Sequence, residues 1–187
     1  MKQNLYLIAG ANGSGKTTLA RELLREEKIT FLNTDEIAAN IGDKLGFLSG
    51  KILLSQLDKI LMAKEPFAIE STISGKYHFH ILKQARHIKY EVTLIYMFIE
   101  NVELNIARVQ KRVSMGGHNV PEDDIRRRWK RSIYNFQETA KLADSWKIYY
   151  NGGVSYELIA HSTKGILEVQ DENKYKIFNS AANYKIR

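Results

Sequence analysis

The chain has 187 residues, 44% hydrophobic and 26% charged, which suits one packed domain of average globular composition and excludes collagen-like or disordered classes. It has no cysteine, which excludes a disulfide framework, a thiolate zinc site and a cysteine nucleophile; the lack of an apolar run of about 20 residues and of a signal peptide predicts a cytoplasmic protein without membrane contact. The net charge of +7 predicts anionic partners.

Predicted strands alternate with predicted helices along most of the chain. In order, the elements are strand 4–9, helix 17–27, strand 29–34, a helix from Asp35 to about Gly42, helix 51–63, strand 66–69, helix 77–87, strand 90–99, helix 102–113, a helix from Pro121 to about Asp144, strand 146–151, a hairpin around Lys164 and Gly165, and a short terminal helix. This alternation predicts a single α/β domain over 1–187 with a parallel sheet, divided into a core of 1–153 and an appendage of 154–187. Ligands of such sheets gather at the carboxyl ends of the strands.

The loop after the first strand, GANGSGKTT, matches the phosphate-binding pattern G-x-x-x-x-G-K-[ST] in its required place between a strand and a helix. Its glycines let the backbone close around phosphate oxygens, and the helix N-terminus favours an anion. Lys16 would reach the β and γ phosphates and Thr17 would offer its hydroxyl to Mg²⁺. The predicted ligands are ATP and Mg²⁺, and the predicted binding residues are Gly10, Ala11, Asn12, Gly13, Ser14, Gly15, Lys16, Thr17 and Thr18.

Polar residues also follow the second and third strands. Asp35 can accept the proton of a substrate hydroxyl or anchor Mg²⁺ through water, and it can equally cap the helix that begins there. Glu70 can order substrate or metal, or be a solvated carboxylate at a strand end. Ser71 and Thr72, beside it, are candidate substrate contacts that can also merely cap the turn.

A basic cluster between residues 108 and 131 supplies candidates for stabilising a transferred phosphoryl group from a helical lid. Arg108 and Arg112 are four residues apart and share a helix face, and Gly116 with Gly117 would let the next loop hinge. In the following helix, Arg128 flanks an apolar stripe and Arg127 points nearly opposite. A solvated basic face remains the alternative for each arginine.

The histidines carry weaker signals. His118 in the lid loop is a candidate phosphate contact, although ordering of the loop is the commoner role of such a histidine. His78 and His80 are two apart on a predicted helix and point away from each other, so they do not predict a metal site. Trp129 is interpreted as a packing residue, with base stacking as the alternative.

Together these segments resemble the zeta-toxin family of P-loop kinases. The matching stretches are GANGSGKTT, NTDEIA, IESTISG and RVQKRVSMGGHNVPEDDIRRRW, within about residues 1–153. The resemblance implies a three-layer P-loop NTPase sandwich, a five-stranded parallel sheet in the order 2-3-1-4-5 and an arginine-rich helical lid. At ~4.8 Å per strand, Asp35 would lie about 10 Å across the sheet from the P-loop strand.

The resemblance also implies roles for individual residues. Lys16 resembles the family's phosphate lysine, Asp35 its general base and Glu70 the glutamate that orders the substrate side. Arg112 and one of Arg127 or Arg128 resemble the arginines that close on the phosphoryl group; we assign Arg128 to catalysis. Arg127, Arg108 and His118 are assigned to substrate. Family members phosphorylate a UDP-N-acetylamino sugar and are held inactive by a small antitoxin over the ATP site.

Three functions follow from the sequence. The first is an ATP- and Mg²⁺-dependent kinase acting on a small-molecule hydroxyl. The second, suggested by the positive charge, is a nucleic-acid or nucleoside kinase, which would bind oligonucleotides with a steep salt dependence. The third is a non-catalytic nucleotide-binding partner, which the arginine-rich lid disfavours.

Overall fold

The computed structural model describes residues 3–25, 29–42 and 47–182, without the side chains of Ala39 and Phe47. The strands are β1 (Asn4–Gly10), β2 (Thr30–Leu32), β3 (Phe67–Ser71), β4 (Glu91–Phe98), β5 (Ser145–Tyr150), β6 (Glu157–Thr163) and β7 (Ile166–Val169). The helices are α1 (Lys16–Leu23), α2 (Thr34–Ile41), α3 (Phe47–Ala63), α4 (Tyr77–His87), α5 (Val102–Ser114), α6 (Glu122–Ala140) and α7 (Glu172–Ala182).

One sheet contains all seven strands, in the order β2-β3-β1-β4-β5-β6-β7. The first five strands of that order are parallel, which confirms the predicted arrangement. β1 lies at the centre of the five parallel strands and β2 is two strands away. Because these strands are parallel, the loops that follow them open on the same edge of the sheet.

The predicted C-terminal hairpin is present, but its strands extend the sheet instead of standing apart from it. Lys164 and Gly165 form its two-residue turn with φ values of 52° and 83°, the left-handed pair that suits a tight hairpin. β6 pairs antiparallel with β5 and so binds backbone groups that would otherwise be unpaired at the edge of the sheet. The sheet therefore has seven strands where five were expected. The division of the chain into a core and an appendage stays a prediction.

Apolar side chains fill both faces of the sheet, so the predicted three layers are confirmed. One face of β1 and β4 carries Leu5, Leu7, Leu94 and Tyr96, which pack with helices α3, α4, α6 and α7. The opposite face carries Ile8 and Ile95 and packs against Leu19 and Ala20 of α1. Successive residues of a strand point to opposite faces, so a sheet that is covered on both faces requires nearly continuous apolar strands.

Several element ends differ from the sequence prediction, and contacts explain two of these differences. β3 continues to Ser71 because Glu70 and Ser71 pair with Ile8 and Ala9 of β1. α6 ends at Ala140 and not near Asp144. The Asp144 carboxylate accepts a 2.8 Å hydrogen bond from the Val92 N–H, and this contact draws the chain into β5.

Helices α5 and α6 pack together as the predicted lid. Ile106 and Val109 of α5 form a separate small core with Val120 and Ile125. The Arg126 guanidinium of α6 makes a two-pronged ion pair with the Glu103 carboxylate of α5. Trp129 packs at the edge of the main core and donates a 2.8 Å hydrogen bond to the Ile99 carbonyl, which confirms its packing role.

Within the described ranges, none of the helices combines the length and the apolar character that a membrane crossing requires.

Candidate active site

The loop between β1 and α1 adopts a conformation that only glycine accommodates well. Gly13 and Gly15 have φ values of 76° and 95°, in the left-handed region. Gly15 precedes the first residue of α1, Lys16, and no side chain caps this helix N-terminus. The first N–H groups of α1 therefore lack a side-chain acceptor, which leaves them available to an anion.

Two asparagines from distant elements hold this loop in place. Asn105 of α5 is fully buried and donates a 2.8 Å hydrogen bond from Nδ2 to the Asn12 carbonyl. Asn151, just after β5, donates a 2.9 Å hydrogen bond from Nδ2 to the Ser14 carbonyl. A Cβ atom on Gly13 would lie 2.4 Å from the Asn105 carbonyl oxygen, so α5 rests directly on the loop. Neither asparagine belongs to a motif of the sequence, and neither was predicted as a site residue.

Glu70, at the end of β3, connects the loop to its neighbours. Its Oε2 accepts hydrogen bonds from the Thr17 hydroxyl (2.7 Å) and from Nδ2 of Asn33 (3.0 Å). Its Oε1 lies 3.6 Å from the Lys16 ammonium, which also donates a 2.8 Å hydrogen bond to the Ala11 carbonyl. The carboxylate thus balances a buried cation, as a buried charge requires. Glu70 is not the solvated carboxylate of the alternative interpretation.

Asn33, and not Asp35, caps helix α2. The Asn33 Oδ1 atom accepts hydrogen bonds from the N–H groups of Asp35 (2.9 Å) and Glu36 (3.4 Å). Asp35 therefore lies in the first turn, where a carboxylate is favoured by the helix dipole. Its side chain is exposed and makes no hydrogen bond or ion pair with any residue that the structure describes. The capping alternative for Asp35 is wrong, because Asn33 already fills that role.

A cavity of about 510 Å³ joins these groups at the carboxyl edge of the sheet. Fifteen residues line it: Asn12, Gly13, Gly15, Lys16, Thr17, Thr18, Asn33, Thr34, Asp35, Glu70, Ser71, Thr72, Arg108, Arg112 and Arg128. The P-loop follows β1 and Asp35 follows β2, two strands away, and residues of both line this cavity. Three of the predicted nucleotide-binding residues do not line the cavity: Gly10, Ala11 and Ser14.

Three arginines line the cavity, and different contacts hold two of them, Arg112 and Arg128. The Arg112 guanidinium donates a 2.8 Å hydrogen bond to the His118 carbonyl. Arg128 lies 3.3 Å from Oδ1 of Asn12 and 3.4 Å from the Asp124 carboxylate. Since guanidinium groups stay charged in proteins, the cavity collects three positive charges from the lid in addition to Lys16.

Two predicted substrate residues lie outside the cavity. Arg127 points away from it and pairs with Asp124 at 2.7 Å, because neighbouring positions on a helix differ by about 100°. His118 is exposed in the lid loop, and its backbone carbonyl, not its ring, contacts Arg112. Their assigned roles stay predictions that would require another conformation of the lid.

The two histidines of α4 face different surroundings. His78 is buried, and its Nε2 lies 2.9 Å from the Thr139 hydroxyl, whereas His80 is exposed. Burial lowers the pKa of His78 to about 4. The Thr139 hydroxyl donates its own proton to the Asn135 carbonyl, so His78 is the donor in the shared hydrogen bond. In the part of the chain that the structure describes, no three carboxylates or histidines cluster as a metal site.

Comparisons with known proteins agree with this geometry. The model of a family described as AAA domain matches residues 5–139. A protein of Haemophilus influenzae, described only as uncharacterized, is 31% identical over 133 residues, which are 69% of this chain and 94% of that protein.

Solved structures share the fold. The AvrRxo1-ORF1:AvrRxo1-ORF2 complex with sulphate ions matches with a TM-score of 0.76 at 13% identity, over 100% of this chain and 66% of the matched chain. The same complex with ATP matches with a TM-score of 0.73. The PezAT chromosomal toxin–antitoxin system of Streptococcus pneumoniae matches with a TM-score of 0.64 at 16% identity, over 97% and 86%. This chain thus spans just under two thirds of the AvrRxo1 chain that it matches, and the predicted zeta-toxin-like P-loop kinase is confirmed as a fold.

Proposed function

We propose that this chain, which belongs to the AAA domain family, is a kinase that uses ATP and Mg²⁺ to phosphorylate a hydroxyl group of a small molecule. One observation carries the proposal: a single cavity is lined at once by the P-loop, by the Asp35 carboxylate and by three arginines. Phosphoryl transfer needs a phosphate cradle, a proton acceptor and positive charge around the moving group.

The residues at the P-loop side fit a triphosphate. The uncapped N-terminus of α1 and the left-handed Gly13 and Gly15 form a concave, positively polarised backbone, and Lys16 adds a full charge. Among the described residues, the Lys16 ammonium contacts the Ala11 carbonyl and the Glu70 carboxylate, which leaves it a third proton to donate to a phosphate oxygen. This is the nucleotide side of the proposed site.

The same side fits a magnesium ion. The Thr17 hydroxyl donates its proton to Glu70, so the lone pairs of its oxygen remain available to a cation. Hard oxygen ligands are those that Mg²⁺ prefers, and the bound ion would supply neutralisation of phosphate charge. Thr17 and, through it, Glu70 are therefore the residues that we propose for the metal.

Asp35 is the proposed general base at the other side of the cavity. A bond forms between the acceptor oxygen and the γ-phosphorus, the bond to the β–γ bridging oxygen breaks, and ADP leaves with that electron pair. The proton of the acceptor hydroxyl passes to the Asp35 carboxylate, which has no competing donor among the described residues. Arg108, Arg112 and Arg128 stabilise the charge on the transferred group.

For the acceptor, we propose a UDP-N-acetylamino sugar as the first compound to test, as the zeta-toxin resemblance implies. Ser71, Thr72 and Asp35 give that end of the cavity hydroxyl and carboxylate groups, which suit a sugar. We also propose a cytoplasmic setting and a small antitoxin protein that covers the cavity. Support for the antitoxin comes from the PezAT toxin–antitoxin system, whose fold this chain shares.

The test incubates the protein with ATP, Mg²⁺ and a panel of UDP-sugars, nucleosides and short oligonucleotides, followed by ³¹P NMR and mass spectrometry. Lys16→Ala is the blank. Asp35→Asn should abolish transfer while leaving ATP binding nearly unchanged. Glu36→Gln is its matched control, since Glu36 is the next carboxylate on α2 and pairs with Arg21 outside the cavity. Equal rates in wild type and Asp35→Asn would refute the base assignment, and a phosphorylated oligonucleotide would favour the nucleic-acid kinase.

A further inference from the structure

Helix α5 ends in a closed turn that folds back over its own last residues. The N–H groups of Met115 and Gly117 both donate to the Arg112 carbonyl, at 3.1 and 2.9 Å, and the Gly116 N–H donates to the Val113 carbonyl at 2.9 Å. Gly116 has a φ of 85°, the left-handed conformation that commonly ends helices. The two adjacent glycines therefore form a hydrogen-bonded turn.

The second glycine of this turn lies against the side chain of Arg112. A Cβ atom on Gly117 would be 2.5 Å from Cγ and 3.3 Å from Cδ of Arg112, and 3.0 Å from its carbonyl oxygen. The next residue, His118, accepts the guanidinium's 2.8 Å hydrogen bond through its carbonyl. The turn thus contacts Arg112 along its aliphatic part and again at its charged end.

Arg112 is also confined on its inner side. It lines the cavity, yet its Nε atom is buried and has no hydrogen-bond partner among the described residues. A buried donor without a partner is unfavourable, and it needs packing to hold it there. The contact with Gly117 supplies such packing.

We propose that Gly117 is a positioning residue for Arg112: the turn 115–118 fixes the side chain so that its guanidinium faces the phosphoryl position before substrate binds. The inference deepens the proposed kinase function and rests on it for its catalytic consequence. It differs from a hinge role, since the glycine is needed for the close approach of its Cα to the arginine and not for movement.

A methyl group at position 117 would test this contact directly. In Gly117→Ala, the new Cβ would lie too close to Cγ of Arg112. Because Cγ is only two bonds from the backbone, it can move away only if the Arg112 side chain adopts another χ1 rotamer. Gly116→Ala is the matched control. Its φ of 85° makes alanine strained there, but a Cβ at that position meets no atom within 4 Å in the part of the chain that the structure describes.

The first readout does not depend on catalysis. The buried Nε–H of Arg112 should give a slowly exchanging ¹H–¹⁵N signal, assigned by its loss in Arg112→Lys. We expect Gly117→Ala to shift or remove this signal and Gly116→Ala to retain it. An unchanged signal in Gly117→Ala would overturn the proposal.

The second readout is a double-mutant cycle in stability and turnover. Since Arg112→Ala deletes Cγ, Gly117→Ala should destabilise the protein less in that background, and it should restore folding if Gly117→Ala alone does not fold. Turnover in Gly117→Ala should fall about tenfold or more, with KM for ATP changed by less than about threefold, and should fall no further when Arg112 is already alanine.

Additive effects in this cycle would show that Gly117 acts independently of Arg112 and would also overturn the proposal. If the wild type turned over no ATP, the proposed function would fail instead. The Nε–H signal and the stability cycle would still decide the structural inference in that case.

Discussion

The Glu70 carboxylate and the Thr17 hydroxyl, 53 positions apart in sequence, form a 2.7 Å hydrogen bond at the centre of the candidate site. The same carboxylate receives the Asn33 amide and lies 3.6 Å from the Lys16 ammonium. Two hydrogen-bond donors, Thr17 in the first turn of α1 and Asn33 just after β2, thus share one carboxylate near the end of β3, and the Lys16 cation pairs with the same group. Removal of the Glu70 carboxylate should therefore leave Thr17, Asn33 and Lys16 without this partner.

Glu70→Ala should therefore lower stability even without ligand. The Lys16 and Asn33 side chains are buried, and we expect a loss of about 2–4 kcal/mol in the free energy of unfolding, measured by urea titration. Glu36→Ala is the control, because it removes a surface ion pair with Arg21 and should cost less than about 1 kcal/mol. Equal losses in both variants would contradict the central role of Glu70.

Arg128 and Arg127 provide a matched pair on the lid. Both contact Asp124, but only Arg128 lines the cavity and contacts Asn12. We expect Arg128→Ala to reduce turnover by about 100-fold or more and Arg127→Ala by no more than a few-fold. Steady-state kinetics with saturating ATP measures both. A large loss in Arg127→Ala would indicate that the lid rearranges on binding.

Alanine substitutions at Gly13 and Gly42 would distinguish the effect of steric crowding on stability from the effect of backbone strain. Both have left-handed φ values, 76° and 69°, but a Cβ on Gly13 would lie 2.4 Å from the Asn105 carbonyl oxygen, while one on Gly42 meets no atom of the described residues within 4 Å. Gly42→Ala should cost about 1–2 kcal/mol from strain alone. Gly13→Ala should cost more and weaken ATP binding at least tenfold by calorimetry, since α5 and the loop must separate. Wild-type ATP affinity in Gly13→Ala would disprove the tight seating of α5.

The buried His78 should make stability depend on pH. Its folded pKa of about 4 lies below its ordinary value of 6.5, so between these pH values the unfolded chain binds a proton that the folded chain does not. Its contribution is complete above pH 6.5 and is lost as the pH falls toward 4, by up to about 3 kcal/mol. Urea titrations at several pH values measure this slope. His78→Gln should flatten the slope and His80→Gln should leave it; a slope unchanged by His78→Gln would assign it to other groups.

The sequence could predict the P-loop because its residues are consecutive and its backbone does the binding. It could not predict Asn105 and Asn151, which reach the loop from 93 and 137 positions away and belong to no local pattern. Their only sequence signal is a polar residue on an otherwise apolar helix face, for Asn105, and one directly after a strand, for Asn151. Contacts between side chains and distant carbonyls depend on tertiary packing.

The lid illustrates a second limit. Helix existence followed from periodicity, and the order of the parallel strands followed from the resemblance, but adjacent arginines differ in direction by about 100°. An error of one residue in the phase of α6 therefore exchanges Arg127 with Arg128. Similarly, alternation predicted the β6–β7 hairpin, but the edge that it joins depends on which strand of the finished sheet is left unpaired.

The central position of β1 has a consequence for synthesis of the protein. This strand is made before its partners β3 and β4, which begin at Phe67 and Glu91. At about 5–20 residues per second on the ribosome, β1 waits roughly 4 to 17 seconds before the whole of β4 has been added. Until β3 has been added, the apolar segment NLYLIA of β1 has neither neighbour, and until β4 has been added it has only one. The nascent chain should therefore depend on chaperone binding more than a chain in which such a strand lies at the edge of its sheet.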